Sequence, residues 1–144
     1  MRALILTLLV VPLIDLALKL LLRRMLGSRA VALGPFGSLR IVAARIWLAH
    51  FGGRSNPATL WTLWALTAGT LVIVSTWIPS SRLFVGLLLG GSLSNALESS
   101  LRGPVSDYVC LRFWPAFNLA DVALTVGALG VVVEVFVAFN HLWS

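Results

Sequence analysis

Four apolar stretches, each about as long as a bilayer is thick, limit what this chain can fold into. They cover residues 3–22, 58–78, 83–99 and 117–139. A helix rises about 1.5 Å per residue, so roughly 20 apolar residues cross the ~30 Å of hydrocarbon. Composition agrees: 59% of the 144 residues are hydrophobic and only 11% are charged, against about 25% charged in soluble domains. So few charges cannot keep a small globule in water. The expected fold is an all-α membrane protein, a single integral-membrane domain over residues 1–144 with four transmembrane helices. Residues 25–57, between the first two helices, read as a small β-containing extramembrane cap, and residues 100–116 as a loop.

The net charge of +6 comes from 11 Lys/Arg against five Asp/Glu. In a soluble protein that balance would suggest nucleic acid. Here the basic residues are nearly all Arg and lie between apolar blocks, so membrane lipid is the expected partner and nucleic acid is not. The single cysteine, Cys110, excludes an internal disulfide.

The first stretch, ALILTLLVVPLIDLALKLLL, could be mistaken for a signal peptide, because Arg2 precedes it and Ala30-Val31-Ala32 resembles a cleavage site. Asp15 and Lys19 within it, and Arg23, Arg24 and Arg29 after it, favour a retained helix, which Pro12 should kink. Asp15 and Lys19 are four apart, hence on one helix face and able to pair. Their expected role is structural, an ion pair holding the first helix against its neighbours. The cap is rich in glycine and carries β-prone pieces, although the alternation in LRIVAAR is imperfect. It also holds His50, a lone histidine. The second helix carries Trp61, Trp64 and Trp77 near its ends, as an interfacial aromatic belt would. The short connection PSSR (79–82) brings the third helix back antiparallel to it.

In the third helix Gly86, Gly90 and Ser94 recur every four residues, a spacing that permits close helix approach. Gly91 and Asn95 form a second row, with Glu98 beyond, so polar atoms gather toward its C-terminal end. Asp107 follows in the loop. Asn118 and Asp121, three apart, share a face at the start of the fourth helix. Glu134 lies on another face near its far end, as a partner for Lys19 or a headgroup-level acid. Four spans put both termini on one side. Asn95, Glu98, Asp107, Asn118, Asp121 and the cap then share the other. The positive-inside rule, applied to Arg23, Arg24, Arg29, Arg40, Arg45, Arg54, Arg102 and Arg112 against Arg2 and Arg82, assigns that polar side to the cytoplasm.

Acids beside lipid are costly and suggest function. Two carboxylates that share one proton have split pKa values, about 1.5 and 4.7 in pepsin. The ionised one takes a proton from water while the protonated one polarises a carbonyl, which is peptide hydrolysis without metal or cofactor. No histidine pair or second cysteine offers a metal site. Ser/His catalysis would have to recruit His50 or His141, and neither has a serine in a nucleophile setting.

At these residues the chain resembles the lipoprotein signal peptidases (signal peptidase II), four-helix aspartic proteases of the bacterial inner membrane. GGSLSN (90–95) with VSDY (105–108), FNLAD (117–121) and IDLALK (14–19) carry the resemblance. It implies that Asp107 and Asp121 form the catalytic dyad and that Asn95, Asn118, Glu98 and Ala120 orient the site or the substrate. It also implies a monomer whose cap faces the periplasm or outer side, opposite to the charge count. The implied substrate is a diacylglyceryl-modified prolipoprotein cut before its lipidated cysteine, and globomycin-like peptides would inhibit. Two departures stand out. Family members usually carry Asp-Arg where this chain has Glu98-Ser99, with Arg102 a candidate replacement. The outer Asn-x-Gly-x-Ala-Phe pattern becomes Ile46-Trp47-Leu48-Ala49-His50-Phe51. These departures keep an alternative open, a weak or inactive paralogue that binds lipidated peptides or globomycin-like antibiotics. A proton-coupled transporter is disfavoured by an Asp107 outside the helices.

Overall fold

The computed structural model describes residues 1–44 and 57–143. Its elements run α1 (Arg2–Leu26), β1 (Val31–Ala32), β2 (Gly37–Ala44), α2 (Pro57–Trp77), α3 (Arg82–Arg102), β3 (Val105–Leu111) and α4 (Leu119–Trp143). The described residues are therefore mostly helical, with a small antiparallel sheet in the order β1-β2-β3. α1 runs through Pro12 without a break and ends with Arg23 and Arg24 in its last turn, where cations oppose the negative end of the helix dipole.

α3 is the centre of the bundle and packs against both α1 and α4. A Cβ built on Gly91 would stand 2.5 Å from the Ala120 carbonyl oxygen, so only glycine lets α3 come this close to the start of α4. Toward one end, Leu4, Val85 and Leu89 form an apolar core. Toward the other, the buried residues turn polar: Asp15, Lys19, Ser94, Glu98, Ser106, Asp107 and Asn118.

Among the described residues three helices, α1, α2 and α4, are long and apolar enough to cross a membrane. α3 falls below that measure, because the serines, Asn95 and Glu98 that it turns toward its neighbours lower its mean hydropathy. Of the four expected spans, length and composition therefore support three among the described residues.

The expectation of a loop over 100–116 is corrected. α3 ends at Gly103, whose φ of 83° turns the chain, and residues 105–111 form β3, the third strand of the sheet. β2 pairs with β3 from Gly37↔Leu111 to Ala44↔Val105, with an irregularity between Leu39 and Val42. β2 spends three steps there against two on β3, a bulge that shifts which side chains share a face. This accounts for the imperfect alternation in the sequence. After β3 the chain reverses, and Phe117 exchanges backbone hydrogen bonds with Val109 at 3.0 Å each way. That pairing sets where α4 begins.

Two of the three tryptophans expected at an interface are tied to α3. Trp61 Nε1 donates to Ser100 Oγ and Trp64 Nε1 to Ser92 Oγ, both at 3.0 Å. Trp77 alone of the three stands open to the surroundings, 83% exposed.

Candidate active site

The site is assembled where α4 starts. Asn118 precedes the first helical residue, and its Oδ1 accepts the Asp121 N–H (2.9 Å) while Asp121 Oδ2 accepts the Asn118 N–H (3.0 Å). This is a reciprocal capping box, which satisfies two backbone donors at once. The remaining donors of the first turn are also matched. Leu119 N–H goes to the Tyr108 hydroxyl oxygen (2.9 Å) and Ala120 N–H to Asp15 Oδ1 (3.2 Å). A helix start has several N–H groups without intrahelical partners, and here side chains from α1 and β3 supply the acceptors.

Asn118 also reaches the other acid. Its Nδ2 donates to Asp107 Oδ1 at 2.8 Å. Both candidate carboxylates therefore accept from Asn118, Asp107 from the side chain and Asp121 from the backbone. Asp121 Oδ1 takes a further bond from Asn95 Nδ2, 2.9 Å. The orientation of the Asn95 amide follows from Lys19, whose Nζ lies 3.0 Å from Asn95 Oδ1. An ammonium only donates, so the amide must show it oxygen and turn nitrogen to Asp121.

Asp107 is pushed up from 3.8 to about 6. Burial is the main cause and the nearby Asp121 charge the second, while the Asn118 hydrogen bond and Lys19 pull the other way and Glu98 adds a smaller upward push. Tyr108, next along β3, rises to about 12, chiefly by burial.

Beneath the acids lies a buried ionic layer. Lys19 pairs with Asp15 (2.7 Å) and Glu98 (2.9 Å), and Arg23 pairs with Glu98 (2.5 Å). Asp15 also accepts from Ser94 Oγ at 2.6 Å and, at a longer 3.5 Å, from the Tyr108 hydroxyl. Among the described residues no buried side-chain nitrogen or oxygen lacks a partner. Such satisfaction is what makes charges tolerable in a low-dielectric interior.

The structure thus brings Asp107, Asp121, Asn95 and Asn118 together. Glu98 stands one layer back, only 3% exposed and held by two cations, and Ala120 is fully buried. Glu134 does not meet Lys19; it accepts from Ser80 at the far end of the bundle. Arg102 is exposed, and the cation on the α3 acid is Arg23 instead. The divergent segment 46–51, with His50, falls outside the described residues. Sequence reading missed Arg23, Ser106 and Tyr108. Arg23 had a signal, since Asp15, Lys19 and Arg23 recur every four residues on one face of α1.

Next to Asp121 opens a hollow of about 190 Å³ lined by Phe117, Val122, Thr125 and Val126. Among the described residues, no group of three His, Cys, Asp or Glu could hold a metal ion.

A bundle of apolar helices that gathers two carboxylates at one helix mouth, over a buried ionic layer, defines the class: a helical membrane protein with an acid-pair site. Comparison with known proteins gives the family. The model of signal peptidase (SPase) II matches residues 7–137, and the chain belongs to that family, one of peptidases. It is 32% identical over 106 residues to a lipoprotein signal peptidase of Cellvibrio japonicus, covering 66% of this chain and 60% of the relative. It is 36% identical over 115 residues to one of Burkholderia mallei, covering 68% of this chain and 65% of the relative. The matched part therefore spans less than two thirds of these relatives' length. Two solved structures, each described as a bacterial membrane enzyme determined by the in meso method, share the fold. One, at 1.9 Å resolution, superposes with a TM-score of 0.78 over 94% of this chain and 93% of its own at 19% identity. The other, at 2.3 Å, gives 0.80 over 98% and 92% at 17% identity.

Proposed function

We propose that the protein is an aspartic lipoprotein signal peptidase that removes the signal peptide of diacylglyceryl-modified prolipoproteins, cutting before the lipidated cysteine. The observation that carries the reading is the convergence of both carboxylates on Asn118. A water held between the two acids is the nucleophile. Asp121 takes its proton as the oxygen attacks the scissile carbonyl, and Asp107, the acid with the raised pKa, gives its proton to the carbonyl oxygen. The tetrahedral diol collapses when the proton on Asp121 passes to the leaving nitrogen and Asp107 recovers one from the diol. No covalent intermediate forms and no cofactor is required. Asn95 and Asn118 hold the dyad, and the apolar hollow beside Asp121 suits a nonpolar group of the substrate.

In this reading α3 is a fourth span, sheltered from lipid by α1 and α4, and the protein works as a monomer in the bacterial cytoplasmic membrane. The sheet and dyad face the outer or periplasmic side, and globomycin-like peptides compete at the dyad. The test is processing of a prolipoprotein in cells depleted of their own enzyme, followed by size on a gel. The wild-type chain should restore the mature form, and Asp107→Asn and Asp121→Asn should not. Unprocessed precursor with the wild type, or equal processing by wild type and Asp107→Asn, would end the proposal.

A further inference from the structure

We infer that Arg23 is a positioning residue for Asp107, acting through Glu98 and Ser106. The inference rests on the proposed role of Asp107 in cleavage. β3 is an edge strand of the sheet, so part of its backbone must find partners outside β2. Ser106 N–H finds one in Glu98 Oε2 at 3.1 Å. Ser106 Oγ and the other Glu98 oxygen both bond Arg23 Nη2. Ser106, 3% exposed, is thereby gripped at its backbone and at its hydroxyl, and Asp107 is the next residue.

Lys19 cannot do this alone, because its ammonium already serves Asp15, Asn95 and Glu98. A guanidinium nitrogen carries two hydrogens in a fixed plane and can hold two acceptors at a set angle. Arg23 is 26% exposed, so it closes the ionic layer from its outer side. Its charge matters as well as its shape. Asp107 is faced by Asp121 from α4, Glu98 from α3 and Lys19 from α1, and Arg23, paired with Glu98, offsets part of the Glu98 charge that pushes Asp107 up.

The test uses the full chain, purified in detergent, and a synthetic lipobox peptide bearing diacylglyceryl-cysteine, with kcat and KM followed against pH. Arg23→Gln should lower kcat roughly ten- to a hundredfold, the scale set by misplacing a reacting group by about 1 Å, with KM changed less. It should also move the pH limb near 6 upward, because Glu98 is then less well offset. Arg23→Lys keeps the charge but not the fork, so the limb should stay while kcat still falls. Ser106→Ala, which spares the ion pair, should cost about fivefold, one ordinary hydrogen bond. Arg102→Gln, an exposed arginine, should behave as wild type. A wild-type kcat and pH limb in Arg23→Gln would overturn the inference. So would a loss confined to melting temperature. Should Arg23→Gln fail to accumulate, wild-type kcat in both Arg23→Lys and Ser106→Ala would overturn it instead. Full cleavage by Asp107→Asn would strike at the proposed function itself, and that outcome is separate from the others.

Discussion

At the scale of single residues, one amide links the two candidate acids. Asn118 Nδ2 donates to Asp107 Oδ1 and Asn118 Oδ1 accepts the Asp121 N–H, so a single side chain bridges the two residues. Asp107 is buried next to another carboxylate, and its pKa rises from 3.8 to about 6. The native protein therefore binds this proton more tightly than the unfolded chain does. Stability contributed by the neutral acid is fully present below about pH 4, and is lost as pH rises to about 6. The difference is worth up to about 3 kcal/mol. Asp107→Asn keeps the acceptor for Asn118 and removes the charge. It should abolish cleavage yet melt higher than wild type at pH 8, with no such gain at pH 3.5. Thermal unfolding of both proteins at the two pH values checks this, and equal differences at both would contradict the assignment. For the wild type, the proposed mechanism requires kcat to fall as pH rises through about 6, since Asp107, its proposed proton donor, is then ionised.

At the scale of elements, α4 begins inside the protein and each orphan donor of its first turn has a named acceptor. Tyr108 is one of them, linking β3 to α4. Tyr108→Phe removes the hydroxyl and leaves the Leu119 N–H and one Asp15 lone pair without it, a loss of about 1–3 kcal/mol for a buried donor. Activity should fall with stability, because Asp121 sits three residues into that helix. Unfolding followed by circular dichroism, together with kcat, tests it; an unchanged melt would mean water replaces the hydroxyl. The contact of α3 with α4 gives a second expectation. Gly91→Ala forces its Cβ onto the Ala120 carbonyl and should destabilise by about 1–3 kcal/mol. Gly69→Ala on α2, where a Cβ would meet nothing within 4 Å, should be neutral or mildly stabilising. Similar melts for the two variants would show that the helices are free to separate.

At the scale of the whole molecule, the layering is reversed from that of a soluble protein: α1, α2 and α4 show leucine, valine and phenylalanine outward, while Asp15, Lys19, Glu98 and Asp107 are buried. Of the five acids, four belong to the site and its ionic layer, and Glu134 lies at the other end. The arginines exposed near the sheet, among them Arg24, Arg29, Arg40 and Arg112, are thus without acids beside them at the surface. Their number on this side is what makes the positive-inside count, which scores Lys and Arg alone, point opposite to the orientation that the family resemblance implies. Cys110 decides between them, being the one cysteine and lying partly exposed on β3. In intact spheroplasts a membrane-impermeant maleimide should label it, because the sheet is expected to face outward. Labelling only after permeabilisation would reverse the orientation.

Apolar length and periodicity were enough, from sequence alone, for the helices, the close packing rows of α3, and the pairing of Asp15 with Lys19. These are local properties, fixed by spacing within one segment. FNLAD carried the start of α4 in the same way, because a capping box closes over three residues. The third strand was not legible, since VSDYVCL pairs with a partner more than sixty residues away and was masked by the Gly103-Pro104 turn signal. The bulge in β2 hid the alternation for a related reason: which face a strand side chain takes depends on its partner's register. Nor could sequence tell that Arg23 rather than Arg102 would reach Glu98. Both are arginines at a helix end, and only the crossing of α1 over α3 puts one of them against that acid.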